Sequence, residues 1–198
     1  MTKDKRPMTH DQFEKLIASG RQPLWLVNAD LTGVVAVGAE LPKAQFLRAN
    51  LSGANLSGAN LQGANFMVAN LSGANLSGAN LSQAILSGAI LAQADLSQAT
   101  MIEADFSRAN LSGANFSGAD LSRANFGESN LSQINLSYAN LTEANLSEVS
   151  LVEADLSGAN LSQAKVRESD LSRANMDGAI TDGADFEFSI LSDGSVDN

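Results

Sequence analysis

Hydrophobic residues recur every five positions over most of the chain. From Leu31 to Leu191, the residue numbers ending in 1 or 6 carry 22 Leu, 6 Phe and 2 Met among 33 positions, which we call the centres. The residue two positions before a centre is Ala in 27 of the 33 cases. The exceptions are Ala36, Val166 and Thr181 among the centres, and Val34, Ser129, Ile134, Val149, Ser169 and Ser189 before them. No insertion shifts this register.

A five-residue period fits neither an α-helix of 3.6 residues per turn nor a long alternating strand. It fits a short extended segment that turns a corner every five residues. Residues two apart in an extended segment point to the same side, so Ala and the centre face inward while the Asn or Asp between them faces outward. The two remaining positions, usually Ser-Gly or Ser-Gln, suit the corner. The pattern therefore predicts a narrow coil with Ala and Leu inside.

The spacing of the Phe residues predicts how many sides this coil has. Five of the six central Phe residues are separated by multiples of 20, and only Phe116 lies off this track: Phe46, Phe66, Phe106, Phe126 and Phe186. A 20-residue superperiod means four pentads per turn, with these rings stacked along one wall as a structural core ladder. The chain is then a square tube of about eight coils, roughly 40 Å long at ~4.8 Å per coil.

These repeats resemble the pentapeptide-repeat family, whose motif is A(D/N)LXX. The resemblance covers residues 29–191 and implies an all-β solenoid, the right-handed quadrilateral β-helix. The ending ILSDGS (190–195) is similar to that of many cyanobacterial members. Three segments follow: an N-terminal segment 1–28, the β-helix 29–191 and a tail 192–198. Four positions depart from the motif and are expected to cause local bulging or repacking: Ala36, Thr181, Ile134 and Val149.

The two ends of a stacked tube expose unpaired strand edges unless something covers them. At the N-terminal end, Thr9 and Gln12 form a T-x-x-Q capping box, and Gly20 is placed to stop a helix. Phe13 and its neighbours Leu16 and Ile17 share one helical face. We therefore expect a helix over residues 9–19 as an α-helical cap on the first coil, with Leu24-Trp25-Leu26 packing nearby. At the other end, Phe188 and the polar tail suggest either a cap or a dimer contact.

Acidic residues are concentrated in the second half of the tube. The formal net charge is −10, and residues 93–198 alone hold 17 acidic against 5 basic residues. In the 20-residue superperiod, Glu128, Glu148 and Glu168 stack in one column with only Arg108 to balance them, whereas Glu103, Arg123 and Glu143 alternate in sign, and Glu153 pairs with Arg173. Like charges on neighbouring strands are mildly destabilising. This acidic column is either a surface for a partner or a source of solubility.

Residues with the chemistry of an active site are scarce. The chain has no Cys, and its one His, His10, has neither a metal-ligand nor a catalytic context. The serines are corner residues that lack a base to activate them. Asp177, Asp182 and Asp185 resemble a loose calcium loop, but the repeat places them on different sides of the tube. We therefore expect no enzyme activity, no cofactor and no metal site.

The sequence leaves two main functions open. The first is a cytoplasmic, non-enzymatic scaffold that binds an unidentified protein through a flat or acidic face, as solenoids commonly do, and that is a monomer or an end-to-end homodimer. Direct nucleic-acid binding is disfavoured by the acidic balance, and no run is long enough for a membrane span. Ice or polysaccharide binding is disfavoured because Thr is scarce.

The second function follows from the resemblance, because some family members mimic DNA and shield DNA gyrase, a type II topoisomerase. Residues 93–198 carry a net charge of −12 over about five coils. The corresponding ~24 Å of duplex DNA carries about 14 negative charges. The charge density of this half is therefore close to that of DNA.

Overall fold

The computed structural model describes residues 8–197. One α-helix, α1 (His10–Ala18), is the only helix among them, and it is followed by a stack of coils. Parallel β-bridges one residue long join positions 20 apart, from Trp25–Gln45 to Asp170–Ile190, and no described residue belongs to a longer strand. The bridge residues have numbers ending in 0 or 5. One turn of the coil therefore takes four pentads, as the Phe spacing predicts.

A regular pentad with Asn or Asp before its centre bonds all five of its backbone N–H groups, and residues 50–54 show how. Asn50 donates to the carbonyl of Ala29 on the preceding coil, and Leu51 and Gly53 donate to carbonyls on the following coil, at 2.7–2.9 Å. Ala54 closes the corner by donating to the Leu51 carbonyl at 3.0 Å. The remaining N–H, of Ser52, donates to Oδ1 of Asn50 at 3.2 Å. Asn or Asp therefore recurs before the centre because its side chain satisfies a corner donor.

The residue three positions after each residue of the parallel bridges has a positive φ, in the left-handed region of the backbone, except after Ile190. Gly occupies many of these corner positions, as at Gly53 (φ 64°), because it has no Cβ to clash there. A column of these positions runs up each of the four corners of the tube. Along two of the corners most residues are not Gly, and on one of these Val68 (φ 57°) is β-branched.

The centres and the Ala residues before them form one continuous core, and the central Phe rings pack in two groups. Phe46 and Phe66 stack with ring centroids 4.7 Å apart, and Phe106 and Phe126 stack at 5.0 Å. Phe116 meets the second pair edge-on, 5.7 Å from Phe106. These five rings are fully buried. Phe186 is only half-buried, because it belongs to the last coil.

The helix at the N-terminal end has the capping box expected from Thr9 and Gln12, with both of its hydrogen bonds present. It contributes the fully buried Phe13 to the core cluster. The expectation that Trp25 packs with its neighbours is wrong, because the Trp25 side chain is 74% exposed. Leu24 and Leu26 are buried on either side of it. The five-residue repeat already begins one pentad before Leu31, with Leu26 as its centre. Trp25 stands directly before this centre, where later pentads have an outward-facing Asn or Asp, so its side chain faces outward.

The polar tail folds back against the last coil. Ile190 and Val196 form an antiparallel bridge, and the Phe188 N–H donates to the Asp197 carbonyl at 2.8 Å. The tail leaves the inner residues of the last coil partly open around a cavity of about 290 Å³. The residues at this open end are Met176, Thr181, Phe186 and Leu191.

Candidate functional site

The acidic column (Glu128, Glu148 and Glu168) runs along one corner of the tube. All three side chains are exposed, and all three residues have a positive φ of 55–59°. Since consecutive members are 20 residues apart, they occupy the same position on three successive coils. The column therefore lies on a projecting edge of the tube rather than on a flat side.

The carboxylates of the acidic column are not equivalent. The Arg108 guanidinium forms a two-point ion pair with Glu128, Nε to Oε2 at 3.1 Å and Nη2 to Oε1 at 2.9 Å. This hydrogen bonding and the positive charge lower the pKa of Glu128. The Glu148 and Glu168 carboxylates form no ion pair or hydrogen bond within residues 8–197, although Glu168 lies close enough to Arg167 to contribute to the raised pKa of that guanidinium. These two carboxylates are therefore the ones available to a cationic partner.

Two other pairs of corner charges compensate each other, whereas Glu143, in the same column as Glu103 and Arg123, forms no ion pair within residues 8–197. Arg123 bonds Glu103 at 3.1 Å, and Arg173 bonds Glu153 at 3.0 Å, as their positions in the superperiod predict. Near the C-terminal end of the acidic column, Arg167 pairs with Asp185 and Glu187. These contacts raise the pKa of Arg167, with Asp185 the larger cause, and lower that of Asp185, where the Glu187 N–H has the larger effect.

The first half of the same corner carries exposed hydrophobic side chains, which the sequence reasoning missed. Together with the half-buried Leu47 they form what we call the apolar ridge, whose exposed members are Trp25, Val27, Met67, Val68, Ile85 and Ile90. Val27, Leu47 and Met67 occupy one corner position on successive coils, where most pentads have Ser. Trp25 and Ile85 lie on the wall before this corner, and Ile90 lies on the wall after it. The signal in the sequence was apolar residues at outward positions of the repeat.

Val68 is the most unusual residue of the ridge. Its side chain is 55% exposed although its backbone has the φ that L-amino acids with branched side chains avoid. Its Cγ2 lies 3.7 Å from where a Cβ would stand on Gly88, one coil further on. Two other corners of the same coils have Gly at the equivalent position, at Gly73 and Gly78. Burial in the core therefore does not explain why Val rather than Gly occupies position 68.

The structure gives no arrangement of groups for metal chemistry in the part that it describes. No cluster of three or more His, Asp or Glu residues within residues 8–197 could hold a metal ion. Asp177, Asp182 and Asp185 lie in three different pentads, as their register requires. His10 is the first residue of α1. Among the described residues, no helix has the length and apolar character needed to cross a membrane.

Several solved structures resemble this chain. One is HetL, a pentapeptide repeat protein involved in heterocyst differentiation regulation from the cyanobacterium Nostoc sp. strain PCC 7120, with 28% identity over 94% of this chain and 98% of HetL, at a TM-score of 0.46. Trypsin-treated QnrB1, a plasmid-mediated fluoroquinolone resistance protein, has 24% identity over 84% and 92% of the two chains, at 0.42. Rfr23 from the cyanobacterium Cyanothece 51142 has 27% identity over 59% and 63%, at 0.29.

The family assignment comes from the repeats themselves. No curated protein sequence matches the chain. The family model described as pentapeptide repeats matches residues 49–88, 89–127 and 129–167, more than half of the chain. Proteins of this kind fold as right-handed quadrilateral β-helices, in agreement with four pentads per 20-residue turn. The chain therefore belongs to the pentapeptide-repeat family.

Proposed function

We propose that this protein is a non-enzymatic scaffold that binds a partner protein through the acidic column. The observation that carries the proposal is the pair of exposed carboxylates of Glu148 and Glu168, stacked one coil apart at corner positions. Their backbone conformation favours Gly, and like charges on neighbouring strands repel. The fold gains nothing from either feature, so a binding surface is the better explanation.

The proposed scaffold consists of about eight coils of four pentapeptides, with α1 as a cap on the N-terminal end. The bridges between Trp25 and Ile190 support this number of coils. The burial of Phe13 in the core cluster, and the bond from the Met8 N–H to the Asp30 carbonyl, support the cap. A covered end prevents edge-to-edge association with other chains. The long sides of the tube are then the surfaces through which the protein works.

We expect replacement of the acidic column by Gln to abolish partner binding. The variant Glu128→Gln/Glu148→Gln/Glu168→Gln removes three charges without changing side-chain size. Its matched control, Glu103→Gln/Glu143→Gln/Glu153→Gln, removes the same three charges from other corners, where φ is also 58–59°. Chemical cross-linking in lysate of the source cell measures which partner each bait captures. A partner held by wild type and control but lost from the column variant supports the proposal.

Two results of this experiment would contradict the proposal. A partner that the column variant retains does not bind through the column. If the two variants lose the partner to the same extent, binding depends on the total charge of the protein rather than on the acidic column. Raising the salt concentration from 0.05 to 0.5 M weakens contacts between exposed charges, so capture should also fall with salt.

The second candidate is a DNA mimic that protects DNA gyrase, and the net charge of −12 on residues 93–198 favours it. The acidic residues lie on all four sides of the tube, so such a mimic would present charge in every direction. It would inhibit gyrase supercoiling in a salt-sensitive way, and both triple variants would weaken that inhibition equally. A scaffold that uses one corner leaves supercoiling unchanged at micromolar protein. A supercoiling assay with the three proteins separates the two functions.

A further inference from the structure

We propose that the corner formed by the apolar ridge and the acidic column binds an amphipathic helix of the partner, apolar along one half and rich in Lys and Arg along the other. The inference rests on the proposed function and names the chemistry of the partner. Exposed apolar side chains are common singly, but a contiguous group on a polar surface marks an interaction site. Here six exposed apolar residues and the half-buried Leu47 lie at one corner of the first four coils.

The backbone at Val68 gives independent support. A β-branched residue in the left-handed region is strained by roughly 1–2 kcal/mol relative to Gly. Strain persists in a fold when the residue is needed for something else, and Val68 gains no burial in return. Met67 beside it is also exposed, where most pentads have Ser. The pair therefore replaces the usual Ser-Gly corner with an apolar projection.

The apolar ridge and the acidic column follow one another along this corner, with the exposed Arg48 inside the ridge. Gly88 and Arg108 separate the two, and Arg108 is neutralised by its ion pair with Glu128. Residues 28 and 168 belong to this one corner and stand seven coils apart, since each coil takes 20 residues. At ~4.8 Å per coil the corner is about 34 Å long. A helix that covers this length has about 22 residues at 1.5 Å each. Its apolar half would lie on the ridge and its basic half against Glu148 and Glu168.

The backbone along this corner excludes strand addition as the mode of binding. Arg48 and Val68 donate their N–H groups to the carbonyls of Met67 and Ser87 on the following coils, both at 3.0 Å. The Met67 N–H donates to Oδ1 of Asn65 at 3.0 Å. An incoming strand needs an edge with free N–H and C=O groups. Recognition here depends on side chains, which is how an amphipathic helix binds a groove or ridge.

A second copy of this chain is a poor occupant of the whole corner. If two copies align in parallel, each acidic column faces the other. If they align antiparallel over the full length, each apolar ridge faces carboxylates. Neither arrangement is complementary in charge, whereas a basic amphipathic helix complements both halves at once.

Trp25 provides a direct test, because it is the single Trp of the chain and lies exposed in the ridge. The probe is a 22-residue synthetic helix with Leu at i, i+3, i+4 and i+7 in one half and Lys on the same face of the other. A control peptide has Glu in place of Lys. We expect the Lys peptide to shift Trp25 emission to shorter wavelength in a saturable way. The Glu peptide should bind at least tenfold more weakly.

Variants of the protein connect this signal to the corner. Met67→Ser/Val68→Gly restores a Ser-Gly corner, so we expect it to weaken binding about tenfold while the melting temperature stays the same or rises. The acidic-column triple variant should also weaken binding, and the control triple variant should not. The inference is overturned if the emission does not change, if both corner variants bind like wild type, or if wild type self-associates through the ridge in sedimentation.

The outcome also distinguishes this inference from the proposed function. The cross-linking experiment is repeated with the Met67→Ser/Val68→Gly bait. If the acidic-column bait loses the partner and the Met67→Ser/Val68→Gly bait retains it, the scaffold proposal is supported and the inference of an amphipathic helix is overturned. A partner lost from both baits, and identified as carrying such a helix by its cross-linked peptide, supports both.

Discussion

Replacement of Phe106 by Ala is expected to lower the free energy of unfolding by about 3–5 kcal/mol. The Phe106 ring is fully buried, stacks on Phe126 at 5.0 Å and meets Phe116 edge-on at 5.7 Å. A narrow tube with Ala at half of its inner positions has no spare side chains that could fill the resulting hole. Urea unfolding followed by circular dichroism measures the loss.

Phe186→Ala is the matched control for this prediction. Phe186 lies on the same track of the repeat, but its ring is only half-buried at the open C-terminal end. Part of its surface is already in water, so its removal is expected to cost about 1 kcal/mol. Equal losses for the two variants would show that ring packing along the wall does not hold the tube together.

The regular part of the fold could be predicted because the repeat constrains it at every step. Each inward residue must fit beside residues 20 positions away, so the Phe spacing alone gives four sides. The capping box was also predictable, since Thr9 and Gln12 interact locally in sequence. The reason for Asn or Asp before each centre was not predicted. It depends on a bond between the side chain and a corner N–H that the pattern of polarity does not reveal.

The candidate site was only half predictable. Three Glu residues 20 apart stand out from a repetitive background, so the acidic column was found. The apolar ridge was missed because its members occupy three different outward positions of the pentad, and only the folded tube brings Trp25, Met67 and Ile90 to one corner. Outward positions are not constrained by packing, so their side chains carry information about binding rather than about the fold.

Ser169→Ala is expected to lower the free energy of unfolding by about 1–3 kcal/mol, although Ala is the common residue at this position of the repeat. In a regular corner the N–H closes onto the centre carbonyl, as Ala144 does onto Leu141 at 3.0 Å. At Val149 the corner is open. The Ser169 hydroxyl stands between the two groups, accepting from the Val149 N–H at 3.2 Å and donating to the Leu146 carbonyl at 2.7 Å.

Removal of this hydroxyl leaves two buried backbone groups without a partner unless the coil rearranges, whereas a preference for the commonest residue would predict a gain in stability. Ser129→Ala is the matched control on the same inner track. The Ser129 hydroxyl donates only to Phe126, whose carbonyl already accepts the Ser129 N–H, so its loss should change stability by less than about 0.5 kcal/mol. Equal effects of the two substitutions in urea unfolding would mean that the open corner at Val149 closes without its serine. A larger loss at Ser169 would show that its hydroxyl holds this open corner together, as the Ser189 hydroxyl does one coil further on between the Ser169 N–H and the Val166 carbonyl.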